Sequence, residues 1–236
     1  DLVGRLPEVT EIIEESLSLL QGSKIFTDTR ILITAGGTRE PIDPVRFIGN
    51  RSSGRQGIAI AKAAALQGAQ VTLIACNIEN SLLANLSSRI SILKVETSEQ
   101  LKNAVDSEIQ NAKIVIMAAA VADFRTKNIA YSKIKKDESK NILELVATTD
   151  ILESIVKNRH AHQFIVGFAA ETGNAVEIEN YAKRKIERKP VDLLVVNDVS
   201  GGKVFGSSNN RAFFLCKGSN GFETINFGKM SKDTLA

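Results

Sequence analysis

The stretch that decides the fold begins with Ile31-Leu32-Ile33-Thr34-Ala35 and continues as Gly36-Gly37-Thr38-Arg39-Glu40-Pro41. The first five residues are almost entirely apolar and do not alternate with polar ones, which is typical of a buried strand. After a long polar loop, residues 53–67 are rich in alanine with helical spacing, and Gly68 stands where a helix ends. A buried strand, a glycine-rich loop and a helix therefore open the fold.

The same alternation of strand and helix continues along the chain. Further strands are predicted at residues 70–75, 90–95, 114–118, 164–169 and 193–196, and helices at 98–111, 150–159 and 175–188. Ser98 is the predicted N-cap of its helix. Residues 212–216 and 222–227 flank a glycine-containing turn and predict a hairpin. We expect an α/β fold: a Rossmann-like, doubly wound, mostly parallel sheet with helices on both faces and a C-terminal hairpin.

Composition limits the class of protein. The chain has 236 residues, of which 43% are hydrophobic and 24% charged, and its formal net charge is +3. These values suit a soluble globular protein and are too weakly basic to predict nucleic-acid binding. No apolar stretch is long enough to span a bilayer. Cys76 and Cys216 lie in strand-like runs, which predicts free thiols in a reducing cytoplasm. Residues 1–28 predict an N-terminal helix and linker, followed by one domain at 29–236.

The loop after the first strand is a candidate anion site, since parallel sheets bind ligands beyond the carboxyl ends of their strands. It combines Gly36 and Gly37 with two serines and four arginines, and it leads into a helix N-terminus. A solvated basic loop is the alternative. An NAD(P)-dependent oxidoreductase is a second possibility, but the Gly-x-Gly-x-x-Gly spacing is absent and the second strand ends in Cys76-Asn77 without a carboxylate.

Other strands are also followed by residues that suit a binding site. The fourth strand leads into residues 117–123, whose small side chains let a planar group lie against the backbone, although core packing is the alternative. Lys133-Ile134-Lys135-Lys136 is either a solvated surface or a lid over phosphates. Lys185 and Lys189 share one helix face, near a helix C-terminus that also favours cations without any function. A non-catalytic oligomerisation module would not need such residues. No His, Cys, Asp or Glu group has metal-ligand spacing.

Six motifs, in this order, resemble those of the phosphopantothenoylcysteine synthetase family. They are residues 36–46, 50–54, 118–123, 133–136, 167–172 and 197–200, within a similarity that covers roughly residues 29–230. Gly4-Arg5-Leu6-Pro7-Glu8 is similar to the end of the flavin-dependent decarboxylase that precedes this domain in the bifunctional bacterial enzyme. The sequence departs from the family pattern at Phe124, Thr149 and Ser207-Ser208-Asn209-Asn210, and the role of this last loop stays open.

The resemblance implies a nucleotide-dependent ligase. Its reaction would join 4′-phosphopantothenate to L-cysteine with CTP, through an acyl-cytidylate, and release CMP and pyrophosphate, in coenzyme A biosynthesis. Mg²⁺ would be bound mainly through the nucleotide phosphates, and FMN would belong only to the decarboxylase domain of the full-length protein. A cytoplasmic homodimer without nucleic-acid or membrane partners is implied. The preference for CTP over ATP and the residues that bind cysteine are not determined by the sequence.

The resemblance also assigns residues. The residues implied in catalysis are Arg46, Asn50, Ala120 and Lys133. Those implied in nucleotide binding are Gly36, Met117, Ala118, Ala119, Asp123, Lys133, Thr149, Asp150, Ile151, Leu152, Phe168, Lys185 and Lys189. Asn50 is the candidate donor to the oxyanion that forms during amide synthesis. Lys133 is the candidate cation for the departing pyrophosphate.

Overall fold

The computed structural model describes residues 24–136, 142–199, 209–219 and 221–236. The N-terminal helix predicted within residues 1–28 lies outside them. The strands are β1 (Arg30–Gly36), β2 (Arg39–Pro41), β3 (Phe47–Gly49), β4 (Gln70–Cys76), β5 (Ile90–Val95), β6 (Ile114–Met117), β7 (Phe124–Thr126), β8 (Leu145–Ala147), β9 (Phe164–Glu171), β10 (Leu193–Asp198), β11 (Asn209–Gly218) and β12 (Gly221–Ser231). The helices are α1 (Arg55–Leu66), α2 (Asn80–Leu83), α3 (Ser98–Glu108), α4 (Ile151–Lys157), α5 (Ala175–Arg188) and α6 (Lys232–Leu235).

In the described part of the chain, the main sheet has eight strands in the order β12-β11-β10-β9-β6-β1-β4-β5. The six strands β5, β4, β1, β6, β9 and β10 are parallel, and β11 and β12 form an antiparallel hairpin on the β10 edge. The chain first builds outward from β1 to β5 and then returns to place β6 on the other side of β1. This reversal creates a crevice beyond the carboxyl ends of β1 and β6, where doubly wound sheets bind ligands.

Helices cover both faces of the sheet. Neighbouring residues in a strand point to opposite sides, so β1 contributes side chains to a core on each face. Leu32 of β1 lies in a core shared with α3, α4 and α5, together with buried residues of β6, β9 and β10. Ile31 and Ile33 of the same strand face α1 instead. Farther along this second face, Val166 and Val195 pack near Leu235 of α6. The predicted fold class is therefore confirmed.

Several predicted boundaries are wrong, each for a local reason. Ser98 is not the N-cap of α3, because Thr97 caps the helix through a reciprocal pair of hydrogen bonds with Gln100. The first helix begins at Arg55 rather than at residue 53, since Gly54 precedes it in a left-handed conformation with φ 76°. The helix predicted at 98–111 ends at Glu108 and is followed by a 3-10 turn at Ile109–Asn111. The helix predicted at 150–159 is shorter, and Asp150 is its N-cap.

Two small hairpins were not predicted, because three-residue strands are too short to show a period. The β2–β3 pair follows β1 and the β7–β8 pair follows β6, so both extend from the carboxyl edge of the main sheet. Thr126 joins them by donating its hydroxyl to the Pro41 carbonyl at 2.9 Å.

No helix among the described residues is long and apolar enough to cross a membrane.

Candidate active site

A cleft of about 450 Å³ lies at the carboxyl edge of the sheet, over the reversal of strand order. Its walls come from the start of α1, the loop after β6, the start of α4, the end of β9 and the last turn of α5. The lining residues are 50–57, 117–123, 148–152 and 168–170, with Lys185, Lys189, Asn197, Val199 and Lys232. Most of the predicted site residues are thus brought together, although they are spread over more than 130 positions of the sequence.

Gly36 shapes the floor beneath the cleft without being among its lining residues. Its φ of +88° favours glycine, and an added Cβ would lie 2.0 Å from the Cys76 carbonyl oxygen. The Gly36 carbonyl accepts from Ala120 N at 2.8 Å, and Thr38 N donates to Ala120 O at 3.2 Å. These bonds continue the β1–β6 pairing beyond the strands. The nucleotide-binding role of Gly36 stays a prediction.

Three threonines hold the loop at residues 117–123 in place. The Thr34 hydroxyl accepts from Ala119 N at 3.1 Å, and the Thr38 hydroxyl accepts from Ala122 N at 2.9 Å. The Thr148 hydroxyl donates to the Ala122 carbonyl at 2.6 Å. Thr34 and Thr38 are fully buried. The backbone of this loop is therefore fixed where a ligand would contact it, although no local pattern marks these threonines as its supports.

Asn50 and Ala120 lie in the same wall of the cleft. The side-chain amide of Asn50 donates to the Val121 carbonyl at 2.8 Å. An amide nitrogen carries two hydrogens, so this bond orients the group and leaves a second N–H for a ligand. The proximity of Asn50 and Ala120 agrees with the catalytic role predicted for both residues, and that role stays a prediction.

The first cationic side of the cleft lies at the start of α1. Gly54 is the N-cap and provides no side-chain cap, so first-turn N–H groups are open to an anion. Arg51 and Arg55 line this side with Ser52 and Ser53. The other two arginines of the loop are Arg39 and Arg46. The guanidinium carbon of Arg39 lies over the Phe47 ring, 4.7 Å from its centroid.

The second cationic side consists of Lys185 and Lys189 from α5. Lys189 is buried and forms an ion pair with Asp150. Burial alone would raise the pKa of the Asp150 carboxyl, but the hydrogen bonds from Lys189 and from Glu153 N lower it overall. Burial lowers the pKa of the Lys185 ammonium. Among the described residues Lys185 has no ion-pair partner within 4 Å, so it is the more available cation for a ligand.

Arg46 and Lys133 lie elsewhere. They line a depression, here called the lysine depression, that is separate from the cleft and is formed by Ile42, Arg46, Lys133, Ile134, Lys135, Lys136 and Leu143. Arg46 donates to the Ile134 carbonyl at 2.8 Å, which fastens the lysine segment to the β2–β3 hairpin. The structure therefore does not bring Arg46 or Lys133 together with the cleft residues, and their catalytic roles stay predictions.

The end of β4 gives no support to dinucleotide binding. Asn77 follows this strand with φ 49°, and its amide donates to the carbonyls of Gly37 at 2.9 Å and Glu96 at 2.8 Å. In dinucleotide-binding folds a carboxylate at this point holds the ribose. Here the side chain instead ties the loops after β1 and β5 together. Within the described ranges there is also no group of three His, Cys, Asp or Glu residues placed to hold a metal ion.

Comparison with known proteins defines the family. Residues 26–236 match the family described as DNA/pantothenate metabolism flavoprotein C-terminal domain. The chain belongs to this family. The assignment made from the six motifs is thereby confirmed.

Relatives and solved structures agree with membership of this flavoprotein C-terminal domain family. The chain is 44% identical over 223 residues to the coenzyme A biosynthesis bifunctional protein CoaBC of Mycobacterium tuberculosis (strain ATCC 25618 / H37Rv), covering 90% of this chain and 53% of that protein. It is 40% identical over 207 residues to the protein of the same name from Haemophilus influenzae, with coverages of 88% and 50%. The chain thus spans about half the length of the curated relatives it matches.

A crystal structure described as the C-terminal domain of coenzyme A biosynthesis bifunctional protein CoaBC has the same fold. It matches with a TM-score of 0.71 at 33% identity and covers 90% of this chain and 92% of that chain. The similarity therefore extends over nearly the whole length of both chains.

Proposed function

We propose that this domain is a phosphopantothenate–cysteine ligase that uses CTP. The observation that carries the proposal is a cleft with two separate cationic sides, Arg51 and Arg55 at α1 and Lys185 and Lys189 at α5. A ligase of this kind must hold two anionic substrates at once, a nucleoside triphosphate and a phosphorylated acid. The relatives named for coenzyme A biosynthesis support the same reaction.

In the first step, a carboxylate oxygen of 4′-phosphopantothenate attacks the α-phosphorus of CTP. The bond from that phosphorus to the bridging oxygen breaks, which gives an acyl-cytidylate and pyrophosphate. Negative charge collects on the departing group, so cations and positioning provide most of the acceleration. Lys185 is suited to this task because it lines the cleft without a carboxylate ion-pair partner among the described residues. Lys133 would add a further charge if its segment reaches the cleft.

In the second step, the cysteine amine attacks the acyl carbon, CMP leaves and the amine loses a proton. The carbonyl oxygen becomes an oxyanion as the amine adds. We assign the donor to this oxyanion to Asn50, because its bond to the Val121 carbonyl uses one N–H of the amide and leaves the other for a ligand. Removing one such donor costs roughly 2.7–4 kcal/mol in other enzymes.

The nucleoside is expected at Met117, Ala118 and Ala119 opposite Phe168, which all line the cleft. The small side chains of Ala118 and Ala119 leave backbone groups accessible, the Phe168 ring is flat, and Thr34 holds Ala119 N in a fixed orientation. Backbone groups would read the edge of the base, and we propose that the base is cytosine. Mg²⁺ would arrive with the triphosphate, bound mainly through its phosphates, and neutralise part of its charge. Asp123 lines the same cleft as a nucleotide-binding residue.

We further propose a homodimer through the two small hairpins. Phe47, Phe124, Tyr131 and Leu145 on and between these hairpins are large and exposed. Apolar groups exposed together are typical of protein interfaces. The full-length protein would add the FMN-dependent decarboxylase domain, in the cytoplasm. Sedimentation at several concentrations, with Phe124→Ser as the variant expected to be monomeric, tests the dimer.

The decisive experiment measures two products in sequence. With CTP, Mg²⁺ and 4′-phosphopantothenate but no cysteine, the ligase should release pyrophosphate, and adding cysteine should yield 4′-phosphopantothenoylcysteine by mass spectrometry. A non-catalytic oligomerisation module would release nothing. An oxidoreductase would instead be stabilised by NADPH and show no change with CTP.

A further inference from the structure

Arg55 and Lys232 reach the same cleft from elements that are far apart in the sequence. Arg55 is the first residue of α1 and Lys232 is the first residue of α6. Gln56 joins the two helices by donating from its side-chain nitrogen to the Lys232 carbonyl at 3.2 Å. Leu235 packs α6 near Phe168 on the sheet. This hydrogen bond and the packing of α6 hold Lys232 at the cleft.

The charges here are not balanced by acidic side chains. Neither Arg55 nor Lys232 has an ion-pair partner among the residues that the structure describes. Burial lowers the pKa of the Lys232 ammonium, and the positive charge of Arg55 lowers it further. Lys232 is partly buried and Arg55 is exposed. A bound anion would relieve both the repulsion between the two cations and the lost hydration of Lys232. In addition, the buried Oε1 of Gln56 has no donor within the described ranges.

Arg55 and Lys232 lie on the opposite side of the sheet from Lys185 and Lys189. The α1 helix packs on the face that includes Ile33, whereas Ala182 and Ile186 of α5 belong to the core that includes Leu32. Since consecutive strand residues point to opposite faces, the two cationic sides are separated by the carboxyl edge of the sheet. The cleft crosses this edge and connects them.

We infer that Lys232, together with Arg55, binds the phosphomonoester group of the acyl substrate. This inference rests on the proposed function. 4′-Phosphopantothenate carries its carboxylate at one end and its phosphate at the other. The carboxylate must meet the α-phosphate of a nucleotide held toward α5, so the phosphate extends toward α1.

The test measures binding by calorimetry for the wild-type chain, Lys232→Gln and a matched control, Lys62→Gln. Lys62 lies exposed on α1 and does not line the cleft. The titrated ligands are 4′-phosphopantothenate, pantothenate and CTP with Mg²⁺. A charged hydrogen bond contributes enough that Lys232→Gln should weaken 4′-phosphopantothenate binding about tenfold or more. Binding of CTP and of pantothenate should be the same in all three proteins, and Lys232→Arg should restore most of the affinity.

Two results would overturn the inference. Unchanged 4′-phosphopantothenate affinity in Lys232→Gln, with an unchanged melting temperature, overturns the inference. A loss that is as large for CTP or for pantothenate also overturns it, since Lys232 would then act on the nucleotide or on the cleft as a whole. If Lys232→Gln does not fold, Arg55→Gln replaces it with the same expected pattern. The wild type could also release no pyrophosphate while Lys232→Gln still weakens only 4′-phosphopantothenate binding. That result would contradict the proposed ligase activity and support the phosphate site.

Discussion

The carboxylate of Asp43 binds the guanidinium of Arg46 and the backbone of Ile134 at the same time. Asp43 Oδ2 accepts from Arg46 Nε at 2.9 Å and from Ile134 N at 3.2 Å, while Oδ1 accepts from Arg46 N at 2.9 Å. The Asp43 side chain is fully buried. Since Ile134 follows Lys133, one carboxylate sets the positions of both cations of the lysine depression that were predicted to act in catalysis.

Asp43→Asn should therefore reproduce the effect of losing Arg46. We expect Asp43→Asn and Arg46→Gln to reduce product formation by similar factors, and the double variant to be no slower than the worse single variant. Such non-additivity is the result for residues that act through one another. Thr126→Val, which loosens the same pair of hairpins without touching Arg46, is the control. Additive losses would show that Asp43 acts independently of Arg46, and faster amide exchange at Ile134 in Asp43→Asn would report the broken link directly.

The pH dependence of stability offers a separate check on Asp43. The hydrogen bonds from Arg46 hold the pKa of the Asp43 carboxyl well below its usual range, even though burial acts in the opposite direction. A carboxyl whose folded-state pKa is depressed stabilises the fold above its unfolded pKa, about 3.9, and loses this contribution as the pH falls through the folded value. Urea unfolding should show a constant difference between wild type and Asp43→Asn from pH 8 to about pH 5. The difference should shrink in stronger acid, and a difference that instead grows there would contradict this assignment.

Asn50→Ala should slow amide formation more than nucleotide activation. Loss of one oxyanion donor reduces the rate roughly 10²–10³-fold in other enzymes, whereas pyrophosphate release does not need this donor. Acyl-cytidylate should accumulate and be detected by mass spectrometry after a single turnover. Normal turnover would remove Asn50 from the reaction. Failure to release pyrophosphate would place its role in the first step or in the shape of the loop that carries Val121.

Lys133→Gln should block pyrophosphate release from CTP and 4′-phosphopantothenate in the absence of cysteine. Glutamine keeps most of the length and the ability to donate hydrogen bonds but lacks the charge. Lys127→Gln is the control, because Lys127 is exposed and forms an ion pair with Glu144 directly beyond the paired strands β7 and β8. The melting temperature should stay unchanged, since Lys133 is exposed. Release at the wild-type rate would mean that Lys133 is a surface lysine, as its place outside the cleft allows.

CTP with Mg²⁺ should raise the melting temperature more than ATP, GTP or NADPH with Mg²⁺. A ligand at 100 times its dissociation constant adds about 2.7 kcal/mol to the stability of a protein that binds it only when folded. Differential scanning fluorimetry at matched nucleotide concentrations measures the shift. Equal shifts with CTP and ATP would remove the preference for cytosine and leave the ligase proposal unaffected.

Local sequence was sufficient for the main sheet and for much of the cleft. The run from Ile31 to Ala35 is apolar because β1 is covered on both faces, and such a run identifies a buried strand without knowledge of its neighbours. The small residues after Met117 and the start of the first helix could be placed near one another because the carboxyl ends of parallel strands share one edge. The hairpins β2–β3 and β7–β8 could not be found this way, since three residues carry no measurable period.

The sequence by itself determined the eight strands of the main sheet, its longer helices and the family that the six motifs indicate, because periodicity and glycine positions are properties of short segments. Only the tertiary structure decided which of the charged residues meet. It separated Arg46 and Lys133 from the cleft, and it added Lys232, which lies 177 positions after Arg55 and belongs to none of the six motifs. The physical reason is that contacts between distant segments follow from how apolar faces pack, as Leu235 does when it holds α6 near Phe168, and no local pattern encodes that pairing.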